Sequence, residues 1–111
     1  MFTLKYNTEI SCAHKLPEAY NEKCHNLHGH TYKVLIEIET EELENDVVID
    51  FKLLKDIVDE LDHKYLNDYL QSPTTENLAK YIQTLIRKKL EYGKIRITVF
   101  ESNKSSITYE D

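Results

Sequence analysis

The sequence lacks both the basic excess of nucleic-acid-binding proteins and the long apolar runs of membrane-spanning ones. Its 111 residues carry a formal net charge of −6, which argues against a surface for nucleic acid or for an anionic membrane. No apolar run approaches the roughly 20 residues of a membrane-spanning helix. Residues 1–5 also lack the basic and apolar segments of a signal peptide. We therefore expect a soluble, cytoplasmic protein with no nucleic-acid or membrane partner.

Cysteine is also scarce, since Cys12 and Cys24 are the only two in the chain. In an intracellular protein with nearby histidines, thiols more often serve metal binding or chemistry than disulfide formation. We therefore expect no structural disulfide.

Apolar periodicity predicts four strands, with two helices between the second and the third. Apolar residues alternate with polar ones over residues 2–10, 31–39, 94–101 and 107–109. They recur at helical spacing over 51–61 and 78–90, where Asp50 and a hydroxyl of the Thr74-Thr75 pair are suitable N-caps and Gly93 is a suitable stop. The sequence predicts one domain, residues 1–111, of α+β class and ββααββ order. A four-stranded antiparallel sheet would carry both helices on one face, and its open edges favour assembly.

The segment from Cys24 to His30 holds one thiol and three imidazoles. His28 and His30 are two residues apart, so in an extended chain both rings point to one side. His14 continues the inward face of the first strand, and antiparallel pairing would bring it to the other two. Three imidazoles match catalytic zinc, which leaves a fourth position open. Alternatively, these are ordinary polar residues, or Cys24 or His25 completes a closed structural site.

Cys24 lies four residues before His28 and directly follows Lys23. A thiol that is close to a metal cation and preceded by a lysine can be held partly as a thiolate, which serves as a base or a nucleophile. The alternative is a buried structural cysteine, and Cys12, flanked by small residues in a strand, fits that alternative better.

Two further positions carry possible chemistry. Asp62-His63 resembles an acid/base pair at a helix end, although neighbouring helical side chains diverge by about 100°, so the helix must end there for both to serve one target. Otherwise the two residues lie in solvent at the end of the helix and have no catalytic role. Glu101 falls on the apolar face of its strand, where an ionised carboxylate needs a partner. That partner is either a ligand with adjacent N–H donors or a strand-end salt bridge.

Six motifs follow one another along the chain: Ala13-His14, Cys24 separated by three intervening residues from His28-Gly29-His30, Asp50-Phe51, the segment 61–67, the segment 73–79, and Glu101. In this order they resemble the 6-pyruvoyltetrahydropterin synthase superfamily. Together they span almost the whole chain. The three-residue spacing matches the 6-carboxytetrahydropterin synthase branch, because the pyruvoyl branch has a longer one. A third group has glutamate in place of the cysteine, and Cys24 argues against it.

The resemblance implies a tunnelling fold (T-fold), in which the sheets of several subunits join into a barrel, usually a homohexamer of two trimers. It implies that Zn²⁺ is bound by His14, His28 and His30. It also implies a catalytic set of Cys24, Asp62 and His63, and a substrate-binding set of Glu101, Thr74 and Thr75. In the family the active site lies between subunits, so the catalytic set need not come from one chain.

The resemblance further implies a lyase that acts on a pterin triphosphate. The expected reaction converts 7,8-dihydroneopterin triphosphate into 6-carboxy-5,6,7,8-tetrahydropterin, with release of acetaldehyde and triphosphate, and supplies a precursor of queuosine and other 7-deazapurines. One alternative is a 6-pyruvoyltetrahydropterin synthase acting on the same substrate. Another is a non-catalytic, zinc-stabilised module that binds pterins.

Overall fold

Two long strands organise the fold in the computed structural model, which describes residues 1–16 and 26–111. In chain order the elements are β1 (Phe2–His14), β2 (His28–Thr40), α1 (Phe51–Asp59), β3 (Lys64–Tyr65), α2 (Thr75–Arg87), β4 (Lys94–Ser102) and β5 (Ser105–Glu110). A single turn of 3₁₀ helix, Leu66–Asp68, follows β3. The predicted α+β class is confirmed. Neither helix of the described ranges is long and apolar enough to cross a membrane.

The sheet has five strands rather than the four predicted, in the order β3-β1-β2-β4-β5. β1 and β2 pair along their whole length, and β4 and β5 extend the sheet beyond β2, all antiparallel. The additional strand, β3, lies parallel to β1 and pairs only with Cys12 and Ala13. Two residues are too few to show alternation, which is why the sequence pattern did not reveal β3.

The core lies between one face of the sheet and the two helices. The even-numbered residues of β1 and β2 and the odd-numbered residues of β4 face it, as the alternation predicts. Strand register places these apolar residues side by side, because Ile36 lies opposite both Tyr6 and Ile97. Leu54 and Val58 of α1 and Leu78, Ile82 and Ile86 of α2 complete one continuous cluster. This arrangement buries the inner face of β1 as far as His14.

The predicted helix starts are confirmed. The Asp50 carboxylate accepts a hydrogen bond from the N–H of Lys52 (2.9 Å), and the Thr74 hydroxyl accepts one from the N–H of Asn77 (3.1 Å). Both helices end earlier than their apolar periodicity suggests. After α2, Arg87 donates hydrogen bonds to the carbonyls of residues 90, 92 and 93, and this keeps Leu90 in the core although it is no longer helical.

Candidate active site

The three predicted metal ligands meet at one end of the β1–β2 pair. His14 lies directly opposite His28 in the register, and His30 lies opposite Cys12. One ring nitrogen from each histidine can be chosen so that all three lie within 4.8 Å of one another. A tetrahedral zinc ion with Zn–N bonds of about 2.0–2.1 Å places its ligand nitrogens roughly 3.3 Å apart. The three side chains can therefore hold a metal ion with little rearrangement.

Backbone carbonyls fix the tautomer of two of these histidines. Nδ1 of His14 lies 2.8 Å from the carbonyl oxygen of Pro73, and Nδ1 of His28 lies 2.8 Å from that of Asn26. A carbonyl oxygen only accepts, so each Nδ1 carries the proton and each Nε2 presents a lone pair. The two Nε2 atoms face each other at 2.9 Å. Two opposed lone pairs need a cation or a proton between them, and this supports a metal site on chemical grounds.

His14 is the buried member of the cluster, with only 1% of its surface exposed. Burial lowers its pKa below the usual value, and the Pro73 carbonyl only partly opposes this effect. The neutral imidazole, which is the form that binds metals, is therefore favoured. The Tyr32 hydroxyl lies 3.3 Å from Nδ1 of His14, so the inner wall of the site is aromatic and closely packed.

Glu101 lies beside the histidine cluster. The register of β4 against β5 shifts between Phe100 and Ser102, and the Glu101 side chain is 43% exposed rather than buried in the core. One carboxylate oxygen is 3.7 Å from Nε2 of His30, and the other accepts a hydrogen bond from the Thr75 hydroxyl at 3.1 Å. The carboxylate thus has a donor on one side and solvent on the other, which leaves it able to bind a ligand.

Asp62 and His63 occupy a different position, at the β3 side of β1. Asp62 accepts a hydrogen bond from the N–H of Ser11 (2.7 Å), and the N–H of His63 donates to the Ser11 carbonyl (2.6 Å). His63 has a positive φ of 59° and a side chain that is 82% exposed. Helix α1 has already ended at Asp59, as the acid/base interpretation required. In the described part of the chain, this pair is bonded to Ser11 rather than to the three histidines.

The two cysteines can be compared only in part. Cys12 is buried, and its thiol donates to the carbonyl of Leu61 at 3.1 Å. Burial raises the pKa of this thiol to about 11, so Cys12 is a neutral packing residue, as predicted. Cys24 and His25 lie outside the described residues, and the catalytic role assigned to Cys24 stays a prediction.

Several residues of this site were not identified from the sequence. The carbonyls of Asn26 and Pro73 act through the main chain, which no side-chain pattern reveals. Tyr32 falls on the apolar face of the second predicted strand and is buried in the core, and its position two residues after His30 on the same face also places it beside the ligands. Ser11 carries no motif of its own, and its main-chain contacts with Asp62 and His63 depend on the pairing of β1 with β3.

Comparison with known proteins agrees with this arrangement. The family model described as 6-pyruvoyl tetrahydropterin synthase matches residues 3–111. A Synechocystis protein named 6-carboxy-5,6,7,8-tetrahydropterin synthase is 31% identical over 98% of this chain and 93% of its own length. A Pyrococcus furiosus protein named dihydroneopterin monophosphate aldolase is 36% identical over 95% of this chain and 94% of its own length.

A solved structure has the same fold. The Caenorhabditis elegans 6-pyruvoyl tetrahydropterin synthase superposes with a TM-score of 0.76 at 23% sequence identity, covering 99% of this chain and 95% of that one. The tunnelling fold predicted from the motifs is thereby confirmed for the single chain. The chain belongs to the 6-pyruvoyl tetrahydropterin synthase family, a family of lyases that act on pterins, and falls on the branch of its 6-carboxy-5,6,7,8-tetrahydropterin synthase relatives.

Proposed function

We propose that this protein is a zinc-dependent 6-carboxy-5,6,7,8-tetrahydropterin synthase. Its substrate would be 7,8-dihydroneopterin triphosphate, and its products would be 6-carboxytetrahydropterin, acetaldehyde and triphosphate. The observation that carries the proposal is the cluster of His14, His28 and His30. Carbonyl-bound Nδ1 atoms of His14 and His28 leave the Nε2 atoms of these two residues free for a metal. Three neutral nitrogen ligands with an open fourth position are typical of catalytic rather than structural zinc.

Each side chain of the site has a specific role in this proposal. Glu101, which accepts from Thr75 and lies near His30, would grip the adjacent N–H donors of the pterin ring, with Thr74 and Thr75 beside it. Cys24 would remove a proton from the side-chain carbon next to a hydroxyl. Asp62 and His63 would exchange protons with the same substrate as triphosphate leaves and the carbon–carbon bond breaks. Zinc, when bound, would polarise the side-chain oxygens and stabilise negative charge that develops there.

We also propose that the complete site forms between subunits of a homo-oligomer, on the plan of a hexamer made of two trimers. The position of Asp62 and His63 supports this proposal. The Asp62 carboxylate and the His63 N–H both bond to the main chain of Ser11, which places the two residues at the β3 edge of the sheet, and the His63 side chain is largely exposed. A neighbouring subunit that packs on this edge would receive both groups at its own substrate.

Product analysis tests the reaction directly. The full-length protein, loaded with zinc, is incubated with 7,8-dihydroneopterin triphosphate, and the products are identified by mass spectrometry. Acetaldehyde together with 6-carboxytetrahydropterin is the expected result. Formation of 6-pyruvoyltetrahydropterin without acetaldehyde would instead indicate the pyruvoyl synthase, and binding without turnover would indicate a non-catalytic pterin-binding module.

An aldolase is the second candidate, because the Pyrococcus furiosus relative bears that name and matches nearly the whole chain. A retro-aldol reaction would cleave the bond between the first and second side-chain carbons, leaving the phosphate on the two-carbon aldehyde. Dihydroneopterin monophosphate would then yield glycolaldehyde phosphate and a 6-hydroxymethyl pterin. The same incubation with the monophosphate distinguishes the two activities, since the aldolase releases neither acetaldehyde nor triphosphate.

A further inference from the structure

We propose that Asn77 is a positioning residue that couples the metal site to the substrate-binding carboxylate Glu101. It would do so by holding the segment Ser72–Thr75, which bonds to both. This inference rests on the proposed function, because that function assigns zinc to the histidines and the pterin ring to Glu101. It concerns a residue outside both groups.

The Ser72–Thr75 segment contacts two parts of the site within three residues. The Pro73 carbonyl accepts from Nδ1 of His14 at 2.8 Å, and the Thr75 hydroxyl donates to Glu101 at 3.1 Å. Since Pro73 and Thr75 are separated by one residue, a displacement of the segment moves both contacts together. A metal ligand and the ring-binding carboxylate therefore share one short support.

Asn77 holds this support on both sides of Pro73. Its side-chain amide donates to the Ser72 carbonyl at 2.8 Å, and its main-chain N–H donates to the Thr74 hydroxyl at 3.1 Å. The second bond caps α2 and is available to any residue at position 77 except proline, which has no main-chain N–H. The first bond requires a side-chain N–H donor of this length, which asparagine provides.

The two bonds can be separated by substitution. Aspartate has the same shape as asparagine, and its negative charge is favourable in the first turn of a helix. It keeps the main-chain N–H but directs an oxygen instead of an N–H group toward the Ser72 carbonyl. Asn77→Asp should therefore preserve α2 while releasing the Ser72–Thr75 segment.

A shared support makes the two binding events thermodynamically linked. If His14 is held by a bound metal ion, its Nδ1 hydrogen bond would fix Pro73, and Thr75 of the same segment would restrict Glu101 before the pterin arrives. Coupling of this kind is reciprocal, so zinc and a pterin each raise the affinity of the protein for the other by the same factor.

Binding measurements on the full-length protein test the inference without turnover. Zinc affinity is measured by chelator competition, and affinity for 6-methylpterin, whose side chain has no oxygen that zinc could bind, is measured by titration with and without zinc. Loss of a direct outer partner of a metal ligand costs about 10–100-fold in affinity. Because Asn77 acts one step further out, we expect Asn77→Asp to weaken both ligands about threefold to tenfold, with the coupling factor falling toward one.

Two control variants separate the outcomes. Thr84→Ala removes another side-chain bond of α2, from a hydroxyl to the Lys80 carbonyl, and should change neither affinity. Thr75→Val leaves Asn77 in place and should weaken 6-methylpterin binding and abolish coupling, without lowering zinc affinity in the absence of the pterin. Wild-type affinities and coupling in Asn77→Asp would overturn the inference while leaving the proposed function intact. If Asn77→Asp fails to fold, full coupling in Thr75→Val overturns it. Absence of zinc binding in the wild-type protein would overturn both.

Discussion

Main-chain carbonyls hold the outer nitrogens of two histidines in the metal cluster. His14 donates to Pro73 and His28 donates to Asn26, both through Nδ1. A substitution at position 26 or 73 leaves a carbonyl in place, so replacing the partner residue does not by itself remove the hydrogen bond. Changes that displace these segments should therefore disturb the ligands more than changes in the chemical type of their side chains.

Replacement of each cysteine by alanine should have opposite effects. Cys24→Ala should abolish turnover and retain zinc, because the proposed base is lost but the ligands are not. Cys12→Ala should retain turnover but lower the free energy of unfolding by about 1–3 kcal/mol, because a buried side chain is removed and the Leu61 carbonyl loses its donor. Steady-state rates, zinc content and chemical denaturation measure these quantities. Undiminished activity in Cys24→Ala would remove Cys24 from the mechanism.

At the scale of elements, the turn into β4 depends on Gly93. This residue has a φ of +82°, and a Cβ atom there would lie 2.9 Å from the carbonyl oxygen of Glu39. Gly93→Ala should therefore lower stability by about 1–3 kcal/mol, the usual cost of such backbone strain.

Gly29→Ala is the matched control for this prediction. A Cβ atom at Gly29, inside β2, would lie 3.4 Å from the Cys12 carbonyl, an ordinary contact, and the backbone is not left-handed. Chemical denaturation of the metal-free proteins should show a change smaller than about 1 kcal/mol for Gly29→Ala. Equal losses for the two variants would contradict the assignment of strain to Gly93.

The elements that could be predicted from the sequence are those in which the apolar periodicity extends over enough residues to identify a strand or a helix. Alternation over residues 2–10 and 31–39 predicts β1 and β2, and when continued to the strand ends it gives the inward direction of His14, His28 and His30. Asp50 and Thr74 mark helix starts because capping is a local property. These features can be predicted because they depend only on residues that are close together in the sequence.

The remaining features depend on contacts between distant segments. β3 exists only because two residues lie beside β1, and Asp62 and His63 are placed by the main chain of Ser11, about 50 positions earlier in the chain. Alternation placed Glu101 on the apolar face, but the register shift near the end of β4 accompanies a more exposed carboxylate. No local pattern carries that information.

At the scale of the whole molecule, zinc should contribute to stability through linkage. At a free concentration of 100 times its dissociation constant, a ligand specific for the folded state adds about 2.7 kcal/mol. Thermal unfolding of the wild-type protein should therefore shift upward on zinc addition. His28→Ala should abolish the shift, whereas His63→Ala, which removes an exposed side chain, should retain it. A full shift in His28→Ala would argue against His28 as a ligand.

Mixed oligomers test whether one site uses groups from two chains. Cys24→Ala and His63→Ala should each be inactive alone. If Cys24 and His63 at one site come from different subunits, reassembly of an equal mixture should restore about a quarter of wild-type activity, because random pairing reunites intact partners at that frequency. Activity is measured after dissociation and reassembly. No recovery in verified mixed oligomers would indicate that both groups come from the same chain.

The limited pairing of β1 also affects how fast its amide hydrogens exchange with solvent. Within the described residues, β3 covers this edge only at Cys12 and Ala13, so positions 2–11 have no sheet partner there. Amides on that edge should exchange rapidly in an isolated chain, except that of Ser11, which donates to Asp62, while their neighbours bonded to β2 should exchange slowly. If another strand paired with this edge, exchange would become slower only for the rapidly exchanging amides. The alternation of exchange rates along β1 can therefore show, residue by residue, whether this edge is closed in solution.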